Sequence, residues 1–277
     1  MEEELINKCI EYVIQNMDED ISVKEVADHF HYSEYYFCRE FKEMTGKSVY
    51  QFIKALKMDQ SAVDIKLRKD KSITDIGLNY GYSSSNYSSA FKNHHRISPS
   101  EFRLSICKME AHNPFYNEGK FGFASFEEYA SKIKFKTLEN KVVLYERVVG
   151  NYNDLKEKWP AFIKKNKDFV KADTLFIERF YNDPSITDID SCIYDICMTI
   201  DEQYLHTKQT MTIEGGKFAI YHYKGKIRDI FCSVQGIFSV WLASSEYTMR
   251  ERYAFNVYPK MDINSDDVIM DLCIPVE

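Results

Sequence analysis

The sequence predicts a two-domain molecule. An all-α domain of tandem helix-turn-helix units precedes an α+β domain, whose antiparallel sheet is built from two pseudo-symmetric β-α-β-β units. Three observations carry this prediction. The first hundred residues repeat themselves at an offset of 50. Beyond about residue 108 the helical period gives way to short β-prone runs and two amphipathic helical stretches. Those runs repeat weakly in turn: Arg147-Val-Val-Gly150 and His222-Tyr-Lys-Gly225 stand 75 apart, with Leu155/Ile230 and Phe162/Ile237 in phase. A length of 277 residues accommodates two domains.

The elements of the first domain follow from the repeat. Ser22-Val-Lys-Glu-Val-Ala-Asp-His-Phe-His-Tyr-Ser33 aligns with Ser72-Ile-Thr-Asp-Ile-Gly-Leu-Asn-Tyr-Gly-Tyr-Ser83. In each copy a serine with an acid three residues on (Ser22/Glu25, Ser72/Asp75) opens a short helix. Ala27 or Gly77 is small enough to admit a second helix. A turn follows at His31-Tyr32 or Gly81-Tyr82, and Ser33 or Ser83 caps the next helix. The apolar stripes of those second helices are Tyr36/Phe37/Phe41 and Tyr87/Ala90/Phe91. A helix over about Val49–Lys69 joins the copies, apolar at Phe52, Ile53, Leu56, Ala62, Val63 and Leu67.

The boundaries expected are 1–108 for this domain, 109–124 for a connector without clear period, and 125–277 for the second domain. In the second domain, strands are expected at Lys141–Val149, Thr174–Phe180, Cys192–Ile200, Lys217–Tyr223, Arg252–Tyr258 and Val268–Val276. Helices are expected at about Asn153–Lys165 and Arg228–Ala243.

Composition narrows the function. With 44% hydrophobic and 29% charged residues the chain is not intrinsically disordered. No apolar run approaches the ~20 residues of a membrane span, and the acidic start is no signal peptide. Seven scattered cysteines without Cys-x-x-Cys suggest reduced thiols and a cytoplasmic protein with no membrane partner. Cys192, Cys197, His206 and His222 match no common zinc spacing, so neither metal nor cofactor is expected. The net charge of −7 opposes nucleic acid, but its distribution does not. Residues 1–20 carry seven acids and one lysine, and residues 21–108 carry 14 basic against 10 acidic residues. A basic module therefore lies between an acidic arm, read as a solvated helix end, and an acidic second half.

Residues 5–106 resemble the DNA-binding domain of AraC/XylS transcription regulators. The resemblance rests on Ile21-Ser-Val-Lys-Glu-Val-Ala27, Tyr32-Ser33…Phe37…Arg39…Phe41-Lys42…Thr45-Gly46, Ile73-Thr-Asp-Ile-Gly77, Gly81-Tyr82-Ser83…Phe91-Lys92 and Ser98-Pro99-Ser-Glu-Phe102-Arg103. It implies double-stranded DNA as partner, with both second helices entering successive major grooves. The base-facing positions are then Tyr35, Cys38 and Arg39 in the first copy and Ser85, Asn86 and Ser89 in the second. Arg39 would grip a guanine. Lys42 and Lys92, with Lys47, Arg96 and Arg103, would contact phosphates or form a solvated face.

Residues from about 140 to the end resemble the GyrI-like effector-binding domain, in the order found in Rob-type regulators. The residues are Asp183-Pro184, Tyr194-Asp195-Ile-Cys197, Glu214-Gly215-Gly216-Lys-Phe-Ala219-Ile-Tyr221, His222…Gly225, Trp241-Leu242, Tyr258 and Cys273-Ile-Pro275-Val276. The resemblance implies an activator, no enzyme, that senses a small hydrophobic or amphipathic organic effector and contacts RNA polymerase. Wall residues of its cleft would be Trp159, Phe162, Tyr194, Tyr221, Trp241, Phe255, Asn256 and Tyr258. The family's usual acid lies two positions before the last of these; here Asn256 occupies it, which disfavours a cation-selective pocket. Glu146, Glu178 and Asp195 are alternative acids. Two other readings are a domain that docks a protein partner and a GyrI-like small-molecule hydrolase.

Overall fold

The computed structural model describes residues 3–19, 21–106, 110–116, 120–205, 209–250, 253–260 and 265–277. Cys107, His206 and Arg252 of the sequence reading lie outside the described residues. The chain separates into two compact units, Met1–Cys107 and Lys108–Glu277.

The first unit is all helix: α1 (Glu3–Gln15), α2 (Val23–His29), α3 (Glu34–Thr45), α4 (Val49–Leu67), α5 (Ile73–Asn79), α6 (Ser84–His95) and α7 (Pro99–Ile106). The repeat is real in three dimensions. Ser22 and Glu25 exchange hydrogen bonds at the start of α2, and the Ser72 hydroxyl accepts from the Asp75 amide at α5. Ser33 caps α3 through the Tyr36 amide, whereas Ser83 holds the equivalent backbone position without a side-chain cap bond. Gly77 sits where an added Cβ would come within 2.7 Å of the Tyr87 ring, which is why the second copy takes glycine there.

The acidic arm is not merely a solvated end. Helix α1 buries Ile6, Cys9, Ile10, Val13 and Ile14, a stripe at helical spacing that belongs to the core. Helix α4 is buried on most sides at its middle, Lys57 included. The Lys57 ammonium donates to the carbonyls of Glu19 (2.6 Å) and Tyr80 (3.4 Å), fastening both copies to α4.

The second unit combines a sheet with helices. Its elements are β1 (Glu110–His112), β2 (Lys120–Gly122), α8 (Phe126–Lys132), β3 (Ile133–Leu138), β4 (Lys141–Val149), α9 (Leu155–Lys165), β5 (Phe176–Phe180), β6 (Ile193–Thr199), β7 (Thr210–Ile213), β8 (Gly216–Lys226), α10 (Ile230–Gly236), β9 (Ala254–Tyr258) and β10 (Asp267–Pro275). A π-helical turn, Ile237–Trp241, continues α10. Eight strands form one sheet in the order β3-β8-β10-β9-β5-β6-β4-β7, all pairs antiparallel.

That order displays the duplication. β4-α9-β5-β6 and β8-α10-β9-β10 are related by a pseudo-twofold axis between β5 and β9, and β7 and β3 extend the two edges. Within the expected connector at 109–124, β1 and β2 pair as a hairpin, and Phe115 and Phe121 pack edge-on against Phe231 of α10. Strands β3 and β7 and helix α8 were not expected from the sequence. No helix among the described residues is long and apolar enough to cross a membrane.

Candidate functional site

In the first unit the apolar stripe of each second helix decides what its other face offers. Phe37 and Phe41 turn inward from α3, and Tyr87, Ala90 and Phe91 from α6. The opposite faces are open. Tyr35 is 79% exposed. Arg39, Lys42, Ser85, Asn86, Ser89 and Lys92 are all exposed, and Cys38 is half-buried. Burial, then the Glu34 carboxylate, push the Cys38 thiol up.

Arg39 is turned onto its neighbour. Its Nη2 and Nε donate to Glu40 Oε1 at 2.8 and 3.2 Å, and its guanidinium lies 5.4 Å from the centre of the Tyr36 ring. An exposed pair of this kind contributes little and is easily exchanged for a guanine or a phosphate. The two faces differ chemically: α3 presents cations and a ring, α6 mostly hydroxyls and an amide.

In the second unit alternation along the strands sorts the expected wall residues. Trp159 and Phe162 of α9, Tyr194 of β6, Tyr221 and Tyr223 of β8 and Tyr258 of β9 meet in one cluster on the helix-covered face. Trp159 lies edge-on to Phe162 (6.0 Å) and to Tyr258 (6.3 Å), and Tyr152 stacks on Tyr194 at 4.6 Å. Phe255 is not among them. As the odd neighbour of Asn256 and Tyr258 it points to the reverse face, with Ile177, Cys197 and Phe218. Trp241 is also elsewhere, against Phe135 and Tyr247.

At the centre of the cluster's floor the axis brings two residues face to face. Glu178 of β5 is the Cα partner of Asn256 of β9. Both are buried, at 5% and 4% exposure. Tyr258 donates its hydroxyl to Glu178 Oε2 at 2.8 Å, and the Asn256 amide also bonds the carboxyl. Burial raises the Glu178 pKa, and these two hydrogen bonds only partly offset it. Burial and the Glu178 charge drive the Tyr258 hydroxyl far up as well. Two polar atoms close by, Asn256 Oδ1 and the Tyr152 hydroxyl, have no hydrogen-bond partner among the described residues. Buried groups left in this state are costly unless something else satisfies them.

The other candidate acids are engaged elsewhere. Glu146 accepts from Lys165 at 3.1 Å. Asp195 lies on the reverse face between Arg147 and Arg179, each within 2.8 Å, with Tyr181 at 3.0 Å. Burial opposes its ionisation, but the two guanidiniums outweigh this and hold it below the usual carboxylate range. Cys192 and Cys197 do not converge with His222, whose ring bonds the exposed Asp271 at 2.8 Å. Among the described residues one group could hold a metal, Asp59 with His94 and His95. Sequence reasoning passed over it, although His94-His95 visibly breaks the repeat, whose first copy has Met44-Thr45.

Comparison with known proteins adds the following. A model of the GyrI-like small molecule binding domain matches residues 131–277, and a model of a helix-turn-helix domain matches residues 26–105. The chain is 30% identical over 109 residues to the transposon Tn10 TetD protein of Escherichia coli, covering 39% of this chain and 78% of that protein. It is 28% identical over 102 residues to the regulatory protein PocR of Salmonella typhimurium, covering 36% of this chain but only 33% of PocR. Among solved structures, the EcmrR C-terminal domain matches 52% of this chain and 96% of its own length, at 11% identity and a TM-score of 0.42.

Proposed function

The chain belongs to the GyrI-like small molecule binding domain family, with an AraC-type helix-turn-helix DNA-binding domain in front, and from that premise we propose that it is a transcription activator switched by a cationic, amphipathic organic effector. The observation that carries this reading is Glu178. A carboxyl group buried under aromatic rings, with the neutral Tyr258 and Asn256 as its recorded partners, supplies the negative charge that Asn256 withholds. A ligand cation that reached it would be paired in a low-dielectric site, flanked by ring faces that attract positive charge. Trp159, Phe162, Tyr194, Tyr221 and Tyr258 would form the walls. Uptake would shift the placement or order of the two domains on DNA, or their contact with RNA polymerase.

The effector half is tested by titrating the full chain with tetraphenylphosphonium and with neutral triphenylphosphine oxide. The cation should quench Trp159 fluorescence, in wild type and in Trp241→Phe but not in Trp159→Phe. Glu178→Gln should weaken the cation about tenfold or more, equivalent to ~1.4 kcal/mol or above, and leave the neutral compound unchanged. Equal loss for both compounds would sink the ion-pairing role.

The DNA half is tested by salt and by sequence. Affinity should fall with a slope near −0.9 per phosphate neutralised. Arg39→Ala should cost about 1–3 kcal/mol on the selected site and little on random DNA. Tyr35, Cys38, Ser85, Asn86 and Ser89 would complete the base contacts, and Lys42 and Lys92 the phosphate contacts.

The Glu178–Tyr258 hydrogen bond also supports a second reading, hydrolysis of a bound small molecule. Conversion of ligand during the titration, abolished by Tyr258→Phe, would establish it.

A further inference from the structure

Asp59, His94 and His95 lie where the repeat departs from itself. One ligand atom of each falls within 4.8 Å of the others. His94 Nε2 is 2.7 Å from Asp59 Oδ1, and His95 Nε2 is 3.9 Å from the same oxygen. Metal–ligand bonds of about 2.0–2.2 Å in a tetrahedral site set ligand atoms roughly 3.4 Å apart, between those two distances. The Asp59 and His95 side chains are buried, at 9% and 8% exposure, while His94 is 32% exposed. The set is therefore held from inside and open on one side to a water or an outside ligand.

The residues are also held by their surroundings as well as by one another: His94 bonds Asp59 directly, and the two imidazole rings meet edge-on at 4.6 Å. The His95 ring lies against Phe91, with centroids 4.4 Å apart, and stacks on Phe102 at 6.0 Å. Its Nε2 is 3.2 Å from the Met58 carbonyl, a hydrogen bond that nitrogen would surrender on binding a metal. Asp59 stands on α4 and both histidines on the last turn of α6, so two elements converge on one point.

The fold does not require this arrangement. In the first copy the corresponding positions are Cys9, Met44 and Thr45. There the Thr45 hydroxyl donates to the Phe41 carbonyl at 2.7 Å and the Gly46 amide to the Lys42 carbonyl at 2.9 Å. A carboxylate and two imidazoles in the second copy alone are thus an addition to the helix-turn-helix.

We propose that Asp59, His94 and His95 bind a divalent transition-metal ion of the zinc type, which clamps the last turn of α6 to α4. Two nitrogens and one carboxylate oxygen suit zinc, cobalt, nickel or copper, and do not suit magnesium or calcium. The site lies in the DNA-binding unit, shares no residue with the Glu178 cluster, and stands whether or not an effector binds there.

The test uses full-length protein stripped with a chelator and dialysed against submillimolar Zn2+ or Co2+. Wild type should bind about one equivalent that His94→Gln weakens roughly 100-fold or more, beyond the loss typical of an outer-sphere change. His94 is exposed enough for that variant to fold, and Asp59→Asn serves as the second. The Co2+ form should give visible d–d bands without the near-ultraviolet sulfur-to-cobalt band of cysteine ligation. Three outcomes would overturn the proposal: no uptake, equal affinity in wild type and His94→Gln, or a thiolate band from the bound equivalent.

Discussion

Glu178 is a carboxyl whose folded pKa lies above its ordinary value of 4.5 because burial disfavours its charge. The sign of its effect on stability follows from linkage. Its contribution to folding is greatest below pH 4.5, where both states are protonated, and is lost as pH rises through the folded pKa. Glu178→Gln has no proton to lose. Unfolding free energies of the two proteins should therefore diverge from about pH 4.5 upward, with the variant gaining on wild type. Urea titrations at a series of pH values check this, and a constant difference would mean that the carboxyl is solvated in the native state. At this scale the sequence was only half legible. The residue types Glu178, Asn256 and Tyr258 could be read, but Asn256 looked like a lost acid because nothing in a linear string reports that β5 pairs with β9 in that register. Strand alternation alone could have excluded Phe255 from the wall that holds Tyr258.

At the scale of elements, the two helix-turn-helix copies solve one backbone problem with opposite residues. The turn between the helices takes positive φ at His31 (59°) and at Gly81 (80°), and the end of the second helix takes it at Gly46 (72°) and at Arg96 (63°). Each copy has one glycine where a left-handed residue is needed and one bulky residue where it is tolerated. Nothing lies within 4 Å of a Cβ built on Gly46, so Gly46→Ala should cost about 1–2 kcal/mol through conformation alone. Gly77→Ala should cost more, because its methyl would collide with Tyr87, and trimming Tyr87 to Leu should recover part of the loss. Thermal unfolding of the single and double variants measures that coupling. Strongly patterned elements were legible: strand β4 falls on Lys141–Val149 as expected, and α4 ends two residues short. The edge strands were passed over: β3 does alternate Ile133 and Phe135 with Lys134 and Lys136, but the run is short and its middle is exposed, so no buried face supports the alternation. The β1–β2 hairpin was missed because three-residue strands carry no period at all.

At the scale of the molecule, charge and symmetry were legible and their consequences were not. A net charge of −7 conceals a first domain that is locally basic, and only the division of the chain explains how an acidic protein meets DNA. The weak repeat at an offset of 75 announced the second duplication, yet gave no hint that its axis passes between an acid and its neutral counterpart. Because Glu178 and Asn256 are related by that axis, the sheet has two equivalent backbone positions for one negative charge. Exchanging them, as Glu178→Asn with Asn256→Glu, should preserve the fold and the affinity for a compact cation. An elongated cation with one charged end should then lie reversed in the cleft, its tail against Ile230 and Val234 of α10 instead of the rings of α9. A nitroxide on that tail, read by its broadening of Trp159 resonances, would report the flip. Duplicated architecture of this kind lets the polarity of recognition be inverted by two substitutions, leaving every surrounding wall in place.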